Sequence, residues 1–342
     1  MTLSSNNTAP LAVSFKLLLA LYAIIPLCLT LQLFDTLLFN HILLSYLPSS
    51  PSHFLLFQII FGTPHILASS LLLTTNREYF SFYQKKVLWM TVAIMLFFAV
   101  ASQVLSYLIL YLLVTSWTVY HVLKQQHGVG RGIYQLPQWA FYLLLWLSII
   151  AGLLIYIGIF LQNSLSLEQA EWVKWLASGC VGLLFLSTLY CQRYMKSRFA
   201  SLFMWANSGL IFASFYFYLQ HYSFLAILIP RLVHDATAYV FYIAHDVNKH
   251  QVQAQNFLYR WAKKIKLNVF LVLPLASLLL TYVLQVYGDQ WVNFITTSLF
   301  NQTIPQAITL GFIGYCSLMH YYTEAFTWKY GSPYKKYIRF KF

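Results

Sequence analysis

The sequence has very few charged residues. Asp, Glu, Lys and Arg make up 8% of the 342 residues, whereas 60% are hydrophobic and 19% are aromatic. Soluble domains carry about 25% charged residues, so a soluble globular fold is excluded. A surface with so little charge faces lipid, and abundant aromatic residues suit both lipid contact and the interfacial belts. We therefore expect an all-α polytopic integral membrane protein.

Cysteine and glycine are also scarce, which excludes several kinds of site. Cys28, Cys180, Cys191 and Cys316 form no CxxC pair, so neither a disulfide framework nor a thiolate zinc site is expected. The glycines are too sparse for a nucleotide-binding fingerprint. The first apolar run has no small-residue cleavage site at a convincing position, so we interpret it as a retained anchor.

Apolar runs suited to membrane crossing recur along the chain. A spanning helix needs about 20 apolar residues, which predicts about ten spans in a bundle that forms a single domain, residues 1–342. We place a tight turn between the third and fourth spans near Ser102-Gln103, with one long tilted helix as the alternative. The predicted spans are 12–34, 54–73, 87–102, 104–123, 139–161, 173–191, 199–219, 222–246, 266–287 and 305–327.

The net charge of +13 comes from short basic clusters between the apolar runs. No long basic arm exists, so a nucleic-acid partner is not expected. With about ten spans, the basic clusters all fall on one side, whereas Asp35, Glu168, Glu171 and Asp289 fall on the other. Basic loops face the cytoplasm, so we expect both termini there. In a bacterium, the lipid bilayer around this multi-pass chain would be the cytoplasmic (inner) membrane.

The eighth predicted span breaks the apolar pattern most heavily. Ionisable groups inside a bilayer are costly unless they are paired or functional. Arg231 and Asp235, at i and i+4, can neutralise each other, but that pair leaves His234 unexplained. His234 and His245 are about 16 Å apart along the axis, so one compact metal centre takes both only if the helix bends. Pro230 should locally interrupt the backbone hydrogen bonds of the helix. One helical face carries Arg231, His234, Asp235, Ala238, Tyr242 and His245.

Two other spans carry histidines beside unusual neighbours. The run Gly-Thr-Pro-His occupies residues 62–65, and Pro64 predicts a kink, which at membrane depth usually lines a cavity. In the last span, His320 and Glu324 lie one turn apart and can reach one metal ion. Simpler interpretations are an interhelical hydrogen bond for His65 and an ion pair with a basic loop for Glu324.

The remaining histidines lie near the predicted ends of spans. His121 lies in the fourth span, whereas we expect His127 in a solvated loop with Gly128 and Gly130. We expect His250 in a basic loop, without a function. The predicted orientation places the histidines of four spans in the cytoplasmic half of the bilayer, with Asp235 and Glu324. These histidines are His65, His121, His234, His245 and His320.

This histidine-rich set favours a metal site. Neutral imidazoles with a carboxylate suit iron, zinc or copper, and an apolar surround suits oxygen chemistry on lipidic substrates. We predict non-haem iron, with zinc, copper or haem as alternatives. Asp235 and Tyr242 are the predicted catalytic positions, where they orient ligands or donate protons. The predicted ligands are His65, His121, His234 and His320, with His245 or Glu324 completing or tuning the site.

The run Gly62-Thr63-Pro64-His65, with single histidines on later spans, resembles the Brp/Blh membrane carotenoid dioxygenases. That resemblance implies a helical bundle that holds one iron by four histidines and cleaves β-carotene to retinal. Asp235 and Glu324 depart from this all-histidine pattern. The HxxxH and HxxHH boxes of membrane desaturases and hydroxylases do not occur in the sequence, which argues against that second family.

The expected function is oxidative chemistry on a hydrophobic, lipid-like or isoprenoid substrate that enters laterally from the bilayer. A redox partner on the cytoplasmic side is a further expectation. A membrane subunit that transfers electrons through haem b is one alternative. A proton-coupled transporter that uses Arg231, His234, Asp235 and Glu324 is another. A third is a lipid transferase whose basic loops gather a phosphorylated donor.

Overall fold

The fold is almost entirely helical, as the composition predicts. The computed structural model describes residues 10–47, 58–250, 253–329 and 331–342. Within these ranges the chain forms two compact units. The first unit comprises the residues up to Leu18 together with Gln58–Phe97 and Thr237–Phe342, and the second comprises the residues from Leu19 to Phe57 and from Phe98 to Ala236. The interpretation as one transmembrane domain stays a prediction.

The helices follow one another with short connections. Three π-helical turns, Gln58–Gly62, Leu284–Gly288 and Ala307–Phe312, adjoin them. Short 3-10 turns lie at Leu21–Ala23, Gln192–Tyr194 and Pro333–Tyr337. In chain order the helices are α1 (Phe15–Ala20), α2 (Ile24–Leu38), α3 (Ile42–Tyr46), α4 (Pro64–Thr74), α5 (Arg77–Val104), α6 (Tyr107–Tyr134), α7 (Gln138–Phe160), α8 (Leu167–Cys191), α9 (Arg198–Leu219), α10 (Ser223–His250), α11 (Phe257–Lys264), α12 (Val269–Val283), α13 (Asp289–Phe300) and α14 (Ile313–Thr327).

Seven helical stretches of the described residues are long and apolar enough to cross a membrane, as expected of a multi-pass membrane protein. The other three predicted spans coincide with the short apolar stretch Gln58–Thr74, with α6 and with α14, so the count of about ten stays a prediction. The seven stretches are Phe15–Leu38, Arg77–Val104, Gln138–Phe160, Leu167–Tyr194, Arg198–Leu219, Ser223–His250 and Val269–Phe300.

The helix is interrupted between α5 and α6, close to the predicted turn. α5 ends at Val104 and α6 begins at Tyr107, slightly beyond the predicted Ser102-Gln103. Ser106 caps α6, because its hydroxyl accepts a hydrogen bond from the backbone N–H of Ile109 at 3.4 Å. The alternative of one long tilted helix is therefore wrong.

Close packing and amide hydrogen bonds hold the second unit together. Gly152 of α7 lies against α6, where an added Cβ would come within 3.1 Å of Val119. Small residues allow such close helix contact in membranes. The amide of Asn207 in α9 donates to the Tyr134 hydroxyl at 2.7 Å and also accepts a hydrogen bond from Tyr22. Buried polar groups that satisfy one another in this way fix the relative register of their helices.

The first unit joins α4, α12 and α14 with the two chain ends. α4 packs on both α12 and α14. Strand β1 (Ala12–Ser14) pairs in parallel with strand β2 (Arg339–Lys341), so the segments near the two termini lie side by side. All four cysteines are free thiols in the structure.

Proline has opposite effects at two positions. Pro64 begins α4 directly after the π-turn and Thr63, at the position where the sequence predicts a kink. Pro230 lies inside α10, which continues without a break to His250. The expected disruption at Pro230 is thus confined to the loss of a backbone donor, which a long buried helix tolerates.

Candidate metal centre

Buried histidines are the most unusual polar residues of the structure. A polar group buried away from water is costly unless it gains partners. Groups of histidines, one group with a carboxylate, place their potential ligand atoms within 4.8 Å of one another, close enough to hold a metal ion. The buried histidines of the described residues are His65, His121, His127, His234, His245, His250 and His320.

His65 and His320 form the histidine pair of the first unit. His65 follows Pro64 at the start of α4, and His320 lies in the middle of α14. Their rings meet edge to face with centroids 4.9 Å apart, and both side chains are fully buried. A nitrogen of one ring lies within 4.8 Å of a nitrogen of the other. The structure therefore brings together two of the predicted ligands.

Glu324 extends this pair. It lies one turn after His320, and a carboxylate oxygen of Glu324 is within 4.8 Å of a His320 nitrogen. The Tyr242 hydroxyl donates to Oε1 of Glu324 at 2.5 Å, and the Trp328 indole donates to the same oxygen at 3.4 Å. Tyr242 thus lies where the sequence predicted an orienting residue, although its partner is Glu324.

His121 and His234 form the histidine pair of the second unit. His121 lies in α6 and His234 in α10, and their rings are nearly perpendicular with centroids 5.0 Å apart. Both side chains are buried. Two residues predicted as ligands, from separate helices, therefore lie side by side in this unit.

Asp235 lies beside His234 but contacts Arg231 more closely. Its Oδ1 atom is 3.2 Å from the Arg231 Nε atom and 3.9 Å from Nε2 of His234. The latter separation is too long for a direct hydrogen bond. Of the two interpretations left open by the sequence, the geometry matches neutralisation of Arg231, and a catalytic role for Asp235 stays a prediction.

His245 lies in a different environment from the two histidine pairs. Its Nε2 atom is 2.7 Å from the Tyr79 hydroxyl, and its Nδ1 atom is 2.8 Å from Oδ1 of Asp246. Tyr259 donates a hydrogen bond to the other oxygen of Asp246. Burial, and the neighbouring Asp246, raise the pKa of Tyr259 above its ordinary value, so this phenol keeps its proton. Both ring nitrogens of His245 therefore already have hydrogen-bond partners.

The loop positions predicted for His127 and His250 are wrong. His127 lies inside α6, buried, with Nε2 3.1 Å from the Ser148 hydroxyl. His250 is the last residue of α10 and stacks on Tyr259 with ring centroids 3.9 Å apart. Gly128 does not end α6, because apolar surroundings favour a helix in which every backbone group is bonded.

Sequence reasoning missed Tyr79, Asp246 and Tyr259, which surround His245. The available signal was Asp246, which follows His245 directly in the sequence. A buried carboxylate needs hydrogen-bond donors around it, so this residue indicated that such donors lie nearby. Sequence reasoning also missed the amides Gln126 and Asn207 in the second unit, both of which accept a hydrogen bond from Tyr22.

No family model, curated protein or solved structure matches this chain. The resemblance to the Brp/Blh carotenoid dioxygenases therefore rests on residues 62–65 and the helical plan alone.

Proposed function

We propose that this protein is a membrane-embedded enzyme that uses histidine-coordinated, non-haem iron for oxidative chemistry on a hydrophobic substrate. The observation that carries the proposal is the buried His65–His320 pair with the Glu324 carboxylate in reach of His320. Two histidines and one carboxylate form the facial ligand set of non-haem Fe(II) oxygenases. When bound, iron would supply the chemistry of dioxygen; zinc and copper accept similar ligands and are the competing metals.

The other residues of the site then have distinct tasks. Tyr242 holds the Glu324 carboxylate by its hydrogen bond and fixes the direction of its lone pairs. His121 and His234 supply the second pair of imidazole ligands, and Asp235 holds the neighbouring Arg231 in place. His245 acts in proton transfer instead of ligation, because both its nitrogens are hydrogen bonded.

The proposed substrate is lipid-like or isoprenoid and enters sideways from the bilayer. Several candidate spans expose large apolar side chains, which include Trp89 and Met95 of α5. A surface of this kind contacts lipid acyl chains. A hydrophobic substrate dissolved in the bilayer can therefore reach the protein directly. Electrons would come from a redox partner on the cytoplasmic side, where we place the basic loops.

We also propose that the chain crosses the membrane about ten times and that both termini lie in the cytoplasm. In a bacterium, the membrane would be the cytoplasmic (inner) membrane. The first candidate span of the structure begins at Phe15, directly after β1, and not at residue 12 as predicted. The pairing of β1 with β2 supports this arrangement, because two paired segments outside the bilayer lie on one side of it. An even number of crossings must then separate them.

Elemental analysis of detergent-purified protein tests the metal proposal. We expect about one or two iron atoms per chain. The number of iron atoms per chain, one or two, also decides whether the four histidines bind one ion or two. The variants His234→Ala and His320→Ala should lose most of this iron. Gel filtration of each variant checks that it is folded.

His221→Asn is the matched control for these variants. His221 is an exposed histidine with a left-handed backbone (φ 63°), which asparagine tolerates. This variant should keep its iron. The absence of any stoichiometric transition metal from the wild type would contradict the enzyme proposal. A sharp Soret band would instead assign the histidines to haem.

Proton-coupled transport is the second candidate, and one observation favours it. The buried chain Tyr79–His245–Asp246–Tyr259 is continuous in hydrogen bonds. Chains of ionisable groups in a membrane protein are typical of proton paths. This function becomes the leading one if the purified protein holds no metal.

A further inference from the structure

A cavity of about 190 Å³ lies beside α11, and none of the proposed metal ligands lines it. One water molecule needs about 10–15 Å³ on a comparable measure, so a phosphate group fits into this space. The lining includes His250, Tyr259, Lys263 and Lys266, with apolar contributions from Val269 and Val272.

The cavity offers donors and positive charge to a ligand. Lys263 and Lys266 both line it, and none of the described lining residues is acidic. The nearby Asp246 carboxylate accepts a hydrogen bond from Tyr259 and contacts His245, so it already has partners. Two ammonium groups without a lining carboxylate favour an anionic ligand.

His250 is the second feature that points to a ligand. Its side chain is buried, and its Nδ1 atom accepts a hydrogen bond from the backbone N–H of Gln255 at 3.2 Å. A neutral imidazole that accepts at Nδ1 carries its proton at Nε2. That Nε2 atom is buried and has no hydrogen-bond partner among the described residues. A donor of this kind in the lining of a cavity suits a phosphate oxygen.

The position of the cavity indicates where that ligand comes from. The candidate spans Ser223–His250 and Val269–Phe300 end and begin at its lining residues. α11 lies between these spans. Phe257 (64%) and Trp261 (58%) of this helix, and Ile265 (52%) directly after it, are exposed at a spacing of one turn. Arg260 and Lys264 lie along one flank of this apolar stripe. Helices with such a pattern lie in the headgroup region of a membrane.

We propose that this cavity binds the phosphate group of an anionic phospholipid. Lys263 and Lys266 supply charge, His250 donates from Nε2, and the apolar stripe of α11 enters the bilayer interface. The site stands independently of the metal centre, because no proposed ligand of the metal takes part in it. A bound lipid would hold the connection between α10 and α12 to the membrane surface.

The test is a titration of the full-length protein, in a non-ionic maltoside detergent, with dioctanoyl phosphatidic acid. Native mass spectrometry and calorimetry should show one saturable site per chain. The double variant Lys263→Gln/Lys266→Gln should bind the lipid about tenfold more weakly or worse. His250→Phe keeps the ring that stacks on Tyr259 but removes the donor, and it should also weaken binding.

The matched control is Arg260→Gln/Lys264→Gln, which removes the same charge from exposed positions of the same helix that do not line the cavity. It should bind within about twofold of the wild type, and so should Lys263→Arg/Lys266→Arg, which keeps the charge. An equal loss in both glutamine variants would overturn the proposal in favour of diffuse surface attraction. Equal affinity for dioctanoyl phosphatidylcholine, or displacement of the lipid by millimolar inorganic phosphate, would overturn it as well.

Discussion

At the scale of single residues, the buried histidines differ in what their rings contact. The rings of His65 and His320 meet edge to face. In contrast, His127 contacts a serine hydroxyl, and His245 lies between a phenol and a carboxylate. Hydrogen-bonded histidines are ordinary members of a buried polar network. In the pair of His65 and His320, a nitrogen of one ring lies within 4.8 Å of a nitrogen of the other, so both can reach one metal ion, which supports the metal proposal.

The hydrogen bond from Tyr242 to Glu324 gives a prediction at this scale. Tyr242→Phe removes the donor without changing the ring, so the Glu324 carboxylate loses the shorter of the two hydrogen bonds described above. Removal of such supporting partners lowers metal affinity by about 10–100-fold. We expect the purified variant to lose iron at a correspondingly lower chelator concentration than the wild type.

Tyr239→Phe is the control for this experiment. Tyr239 lies one turn before Tyr242 on α10, and its hydroxyl contacts Ser277 at 2.8 Å. Its loss should leave the chelator resistance unchanged. An unchanged chelator resistance in Tyr242→Phe would contradict a supporting role for this phenol.

At the scale of elements, α6 shows how membrane packing overrides local glycine signals. Gly128 and Gly130 suggested a loop, yet both lie inside a helix that continues to Tyr134. The two glycines differ in their surroundings. An added Cβ at Gly130 would come within 2.0 Å of the Tyr134 hydroxyl, whereas at Gly128 it would meet nothing within 4 Å.

This difference predicts opposite effects of two similar substitutions. Gly130→Ala should displace Tyr134 from its hydrogen bond with Asn207 and destabilise the protein by about 1–3 kcal/mol. Gly128→Ala should stabilise it by about 0.5–1 kcal/mol, because alanine favours a helix more than glycine does. Thermal unfolding in detergent measures both shifts. Equal shifts would show that the packing of Tyr134 over Gly130 contributes nothing.

At the scale of the whole molecule, the proposed topology places both chain ends on the cytoplasmic side of the membrane. The basic loops fall on one predicted side, and the terminal segments pair as β1 and β2. Glu168 and Lys196 lie at opposite ends of the sixth predicted span and are both exposed. These two positions can therefore report the orientation of the chain.

Labelling of single introduced cysteines tests this topology. Intact right-side-out vesicles should label Glu168→Cys with a membrane-impermeant maleimide. Lys196→Cys and Lys341→Cys should react only after permeabilisation, because we place both on the cytoplasmic side. The wild type is the background control, since its cysteines are buried or only partly exposed. Labelling of Lys341→Cys in intact vesicles would contradict a cytoplasmic C-terminus.

The sequence by itself determined the membrane class, the helical character and the residues that stand out in apolar surroundings. Hydrophobicity and charge are local properties, and the bilayer constrains them directly. Only the tertiary structure decided which polar groups meet. In it, His65 packs against His320 and His121 packs against His234, whereas His245 is hydrogen bonded to Tyr79 and Asp246. These contacts depend on helix rotation and packing, which one sequence does not specify, because several rotations place a given histidine at the same depth.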